Sequence, residues 1–182
     1  MSLMMEKRER VSKIIFFIFL IMLLFILLQL LSPVFLQKDT YTDLHGTVGI
    51  IDNLERIDSL SFPWNIPYFL GDLLCHQKPD RSFFLNGNQM SFCSRCTAIW
   101  FGIAIGLAIM LYYQIDLNER FMLLIILSLI PIGIDGTGQL LGFWESTNLS
   151  RVITGLIIGV PVGSAIGIII DELKTLIKSK TN

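Results

Sequence analysis

All three cysteines of the chain, and one of its two histidines, fall between residues 75 and 96. Thiolate and imidazole are the ligands zinc prefers, and Cys93-Ser-Arg-Cys96 offers two sulfurs to one ion through a tight knuckle. Cys75 lies eighteen residues before Cys93, a workable distance for returning to the same metal. A set of Cys75, His76, Cys93 and Cys96 is complete in number. Its difficulty is that Cys75 and His76 are adjacent, and neighbouring side chains reach one ion only with strain. Asp72, Asp80 or water can replace one of them. Two other chemistries fit the same residues. Thiols on an outward face can oxidise, leaving one disulfide and one odd cysteine, or all three can be small buried apolar side chains. His45, the other histidine, reads as a solvated loop residue.

Charged groups in otherwise apolar surroundings form the second set. Asp135 sits about fourteen residues into an apolar run, roughly 21 Å along a helix. An ionisable group at that depth is a functional-site candidate by default. Arg151 begins the next apolar run, so a buried Asp135–Arg151 pair is expected to staple two neighbouring helices, and such a pair serves structure and function alike. Arg81, Arg95 and Arg151 are candidates for an anion-binding rim, since guanidinium forks bind phosphate bidentately. Ordinary snorkelling near helix ends is the plainer reading of any one of them. Asp135, Arg151 and Arg81 are the candidate catalytic residues.

Positioning these groups falls to four apolar runs. Ile14–Val34, Thr97–Tyr113, Phe121–Leu141 and Val152–Ile170 each approach the 20 or so residues that span a bilayer. The first contains fifteen uninterrupted apolar residues from Ile14 to Leu28 and lacks a small-x-small cleavage site, so it reads as an uncleaved anchor. Gly102 and Gly106 form a GxxxG that allows close helix approach. Pro131, Gly133, Gly136 and Gly138 predict an irregular outer half for the third run, with unwound backbone lining a polar cavity. Overall, 53% of residues are hydrophobic and 16% charged, with a net charge of −1 and a mean hydropathy of +0.65. That balance excludes a disordered chain, a coiled coil and a basic nucleic-acid binder. The expected fold class is therefore an all-α membrane protein, a four-transmembrane-helix bundle.

The basic residues Lys7, Arg8, Arg10 and Lys13 at one end, and Lys174, Lys178 and Lys180 at the other, place both termini in the cytoplasm of a multi-pass cell-membrane protein. The expected organisation is a basic tail and first anchor over 1–36, an extracytoplasmic loop over 37–96, a three-helix membrane core over 97–170 and a basic tail over 171–182. Within the loop, Ile50, Ile51, Leu54, Ile57 and Leu60 repeat at helical spacing. They predict an amphipathic helix that either lies in the headgroup layer or packs as a cap on the bundle. All the polar stretches then gather at the outer end of the bundle.

Cys75-His76-Gln77 with Arg81-Ser82-Phe83, then Cys93-x-Arg95-Cys96-Thr97 and Gly102, resemble the core of a membrane family catalogued as domain of unknown function 2085. Asp135-Gly136-x-x-Gln139, Glu145-Ser-Thr-Asn148-x-x-Arg151 and Thr154-Gly155 resemble its second half, over about residues 70–163. The resemblance implies a small polytopic membrane protein and brings no activity, substrate or cofactor. From the residues themselves, the expectation is a Cys/His centre, with zinc as its metal, beside an Asp/Arg site at the outer membrane face. Its partners would be the lipid bilayer and a lipid-linked or phosphate-bearing ligand, with no nucleic acid. A thiol–disulfide protein using Cys93 and Cys96, a transporter subunit with Asp135 in its pathway, and a structural membrane component are the alternatives. Gly-x-Ser-x-Gly, Walker and dinucleotide-binding fingerprints are absent from the sequence.

Overall fold

The computed structural model describes residues 5–8 and 12–181; Arg10 lies outside these, as do the side chains of Lys178 and Lys180. The elements in chain order are β1 (Met5–Lys7), α1 (Lys13–Phe35), α2 (Leu54–Asp58), α3 (Asn65–Leu74), β2 (Ser82–Leu85), β3 (Asn88–Cys93), α4 (Ser94–Tyr112), β4 (Tyr113–Ile115), α5 (Glu119–Leu140) and α6 (Asn148–Thr181). Four of them, α1, α4, α5 and α6, are long and apolar enough to cross a membrane. Side-chain caps start two of these helices. Ser12 accepts a hydrogen bond from the Ile15 amide at 3.4 Å, and Asn118 accepts one from the Phe121 amide at 2.9 Å. Along α1 the apolar side chains Phe17, Leu20, Leu24 and Leu27 are all exposed. A helix apolar on every side yet largely uncovered by protein is one that lipid covers.

The tightest packing is between α4 and α6, where glycine faces glycine. A Cβ on Gly102 would lie 2.7 Å from the Gly159 Cα, and one on Gly159 would lie 2.6 Å from the Ile99 carbonyl oxygen. The GxxxG at Gly102 and Gly106 thus serves close approach of α6. At one end of the bundle Ile15, Leu107, Met110 and Phe121 are almost wholly buried in a shared core. The tails meet at that same end. β1 pairs antiparallel with β4, Met5 opposite Ile115, and Arg8 forms an ion pair with Asp171 of α6.

The opposite end carries a folded cap. Tyr41, Leu44, Ile57, Leu60 and Tyr68 make a second core, with Leu36 packed against it. Of the segment expected to be an amphipathic helix, only Leu54–Asp58 is helical, and Ile50 and Ile51 stay exposed outside it. Gly49, with a φ of 89°, turns the chain just before the run, and the single turn that remains helical is too short to hold without tertiary support. Ile57 and Leu60 therefore turn inward against Tyr41 and Tyr68, which favours the packed cap.

Buried amides tie this cap together. Asn88 accepts from the Thr40 and Tyr41 amides at 2.9 and 3.0 Å and donates to the Pro33 and Gln37 carbonyls at 3.0 Å each. Gln89 accepts from the Leu44 amide at 2.9 Å and donates to the Gln77 carbonyl. Asp72 accepts from both the backbone and the side-chain amide of Asn53, at 2.8 and 2.7 Å. The two short ladders, β1–β4 and β2–β3, are additions to an otherwise helical protein.

Candidate metal centre and cationic cavity

Three elements deliver the cysteines. Cys75 caps the C-terminus of α3, Cys93 ends β3 and caps the N-terminus of α4, and Cys96 lies in the first turn of α4. The β2–β3 hairpin returns the chain so that Cys93 pairs with Ser82. Its amide then faces the Cys75 sulfur at 3.4 Å. The three sulfurs lie within 4.8 Å of one another, and all three thiols are free. A tetrahedral zinc bound at about 2.3 Å from each sulfur asks for sulfurs roughly 4 Å apart, so small side-chain shifts would close the set.

Hydrogen bonds from the Cys75 and Cys96 thiols push the Cys93 thiol well below its ordinary range, helped by the backbone amides of Cys96 and Arg95. A helix N-terminus favours a thiolate in this position. Cys75, which gives its hydrogen to Cys93 and is buried, is pushed up.

His76 does not join the sulfurs. The Cys75 backbone is extended, with φ −142° and ψ 149°, and successive side chains of an extended chain point opposite ways. Cys75 is therefore buried and His76 exposed. His76 instead lines the adjoining cavity of about 150 Å³, with Lys78, Arg81, Arg95, Gln139, Arg151 and the cysteines. A wider cavity of about 400 Å³ continues past His76, Lys78, Arg81 and Arg95 to Gly136 and Leu140. His45 is exposed, its Nδ1 3.0 Å from the Asp43 carbonyl oxygen.

The expected Asp135–Arg151 pair is replaced by another. Asp135 forms its ion pair with Arg95 of α4, and its Oδ2 accepts from the Ser146 hydroxyl at 2.7 Å. Arg151 donates from Nη1 to Asn148 Oδ1 at 3.0 Å and to the Asp80 carbonyl at 3.4 Å. The reason lies in the first turn of α4, which brings Arg95 between the cysteines and α5. Arg95 still lines both cavities, with its charge offset by Asp135. Arg81 stays half-buried, 3.4 Å from the Asp80 carboxylate. The linking role of Ser94 was not read from the sequence: its hydroxyl lies 3.0 Å from the Arg81 carbonyl oxygen and 2.9 Å from Asn148 Oδ1, its single hydrogen shared between these two acceptors, joining α4, the chain entering the hairpin and α6. Lone serines and asparagines carry no periodic signal that could have shown this.

The third span does not unwind. α5 is continuous from Glu119 to Leu140 despite Pro131. Gly138 serves packing instead, because a Cβ there would collide with the Trp144 indole.

Residues 75–165, half of the chain, match the family described as "Predicted membrane protein (DUF2085)". The chain belongs to this family. An uncharacterized protein of Methanocaldococcus jannaschii is 42% identical over 99 residues, covering 52% of this chain and 62% of that protein. An uncharacterized protein of Methanothermobacter thermautotrophicus is 36% identical over 104 residues, covering 57% of this chain and 90% of that one. The chain thus spans about 62% of the length of the first of these relatives. No solved structure matches it. The family's matched region contains every cysteine, Asp135 and Arg151.

Proposed function

We propose that this member of the family is a multi-pass protein of the cell membrane with both termini in the cytoplasm. In this reading it holds zinc on Cys75, Cys93 and Cys96 at the outer membrane face and binds a phosphate-bearing ligand beside the metal. The observation that carries the reading is the meeting of three sulfurs within 4.8 Å on the wall of a cationic cavity. Three protein ligands with a fourth position open to a cavity is the arrangement of zinc sites that meet a substrate or water. Three thiolates around a divalent ion carry a net negative charge, which the neighbouring arginines offset. Lys78, Arg81, Arg95 and Arg151 still outnumber Asp80 and Asp135, so the cavity retains attraction for an anion.

Cobalt substitution tests the metal. The purified chain loaded with cobalt is expected to show intense sulfur-to-metal charge-transfer absorption, and Cys93→Ser is expected to weaken it. A loaded sample without such absorption contradicts the reading. One observation favours a second reading, a thiol–disulfide protein using Cys93 and Cys96. It is the lowered Cys93 thiol at the N-terminus of α4, held down by hydrogen bonds from the Cys75 and Cys96 thiols and, less, by the backbone amides there, the setting of many reactive cysteines.

A further inference from the structure

Arg151 is only 3% exposed, and its Nε has no hydrogen-bond partner. Among the described residues no carboxylate lies within ion-pair distance of it, whereas Arg95 and Arg81 each have one. A buried guanidinium without a counter-charge is costly unless an anion completes it. Arg151 lines the small cavity beside the sulfurs, so an anion entering there would meet an unspent donor.

A second, apolar groove of about 460 Å³ lies among α1, the β2–β3 hairpin, α4 and α6, lined by Leu30, Phe83, Thr97, Phe101, Ile105 and Val152 among others. Its lining is the immediate chain neighbour of the polar cavity's lining. Val152 follows Arg151, Thr97 follows Cys96, and Phe83 stands two residues beyond Arg81. The first turns of α4 and α6 therefore carry, on successive residues, the lining of an anion-seeking cavity and of an apolar trough, at the cap end of the bundle. A ligand satisfying both is amphipathic, with an anionic head and a hydrocarbon tail.

We infer that the phosphate-bearing ligand is a membrane lipid, its phosphate held by Arg151 and its chain lying in the groove lined by Leu30, Phe101 and Ile105. This rests on the anion-binding part of the proposed function and is independent of the metal. A free phosphate would use Arg151 and leave the groove without a role. Phosphate held by a guanidinium fork forms charge-assisted bonds that Lys replaces only in part.

The test uses the full chain in nanodiscs, with phosphatidic acid diluted in phosphatidylcholine as one probe and inorganic phosphate as the other. Retention of phosphatidic acid by the chain is read by native mass spectrometry, and melting temperature is read alongside. The wild type is expected to retain phosphatidic acid over phosphatidylcholine. Arg151→Gln is expected to lower that retention roughly tenfold, a difference typical of losing one charge-assisted contact, and Arg151→Lys to restore part of it. Ile105→Trp, which fills the groove at a residue already 46% exposed, is expected to lower retention with Arg151 intact. If inorganic phosphate competes fully at equal concentration, or Ile105→Trp changes nothing, the lipid assignment is overturned while the anion site stands. If neither probe binds the folded wild type, the anion-binding reading fails with it, and cobalt absorption still decides the metal. If Arg151→Gln misfolds, Arg151→Lys and Ile105→Trp carry the test, and unchanged retention in both overturns the inference.

Discussion

Asp135 is bonded from two sides, by Arg95 of α4 and by the Ser146 hydroxyl. Asp135→Ala would leave Arg95, 21% exposed at its side chain, without its counter-charge. The expected loss is about 3 kcal/mol, the lower end for breaking a buried pair because Arg95 is not wholly dry. Replacing both, Asp135→Ala with Arg95→Leu, is expected to recover much of that loss. Thermal unfolding in detergent checks both variants, and a double variant no more stable than Asp135→Ala removes the structural role. The charged residues of this site were visible in the sequence, because charge in an apolar run stands out. Their pairing was not. Arg95 and Arg151 each lie in the first turn of a helix, and which one meets Asp135 is set by the packing of those helices against α5, not by sequence spacing. His76 teaches the same lesson, since adjacency to Cys75 placed it near the sulfurs in sequence while the extended backbone turned it away.

Among the elements, the α4–α6 contact and the cap are the most exposed to test. Gly159→Leu would force the two helices apart at a site where even a Cβ has no room. Its expected cost is about 3 kcal/mol or more, beyond the usual range of modest overpacking. Gly133→Leu on α5 meets nothing within 4 Å and is expected to leave the melting temperature near wild type. Equal behaviour of the two variants would contradict the packing described. In the cap, Tyr68 is fully buried and donates to the Gln89 carbonyl at 2.8 Å. Burial pushes its phenol above the ordinary value of 10.0. A raised phenol stabilises the fold in its neutral form, so that contribution is complete below pH 10 and is lost as pH rises above it. Tyr68→Phe is expected to cost about 1 kcal/mol at neutral pH. Its deficit should shrink in unfolding measurements taken above pH 10, and a deficit that instead grows would contradict the buried neutral phenol. The four long helices were legible because continuous apolar runs encode them. The cap was legible only as one of two readings of the loop, and its internal bonding not at all, because Asn88, Gln89 and Gln77 are polar residues buried through hydrogen bonds, a pattern without period.

For the whole molecule, the described parts of both tails meet at one end and the cysteines lie at the other, which suits an even number of crossings. Single cysteines introduced at exposed Lys7 and Ser179, in a chain whose native cysteines are serine, should label only after the membrane is opened. Labelling of both from outside would invert the orientation, and labelling from opposite sides would contradict four crossings. The most direct measurement of the central claim is metal content together with free-thiol count on chain purified in detergent without chelator. The expected result is about one zinc per chain, with three thiols reactive only after metal removal or unfolding, since thiolate ligands are masked by the ion they bind. A chain that carries no zinc after incubation with it, and that shows one reactive thiol beside a reducible disulfide, would contradict the metal centre and establish the redox pair instead.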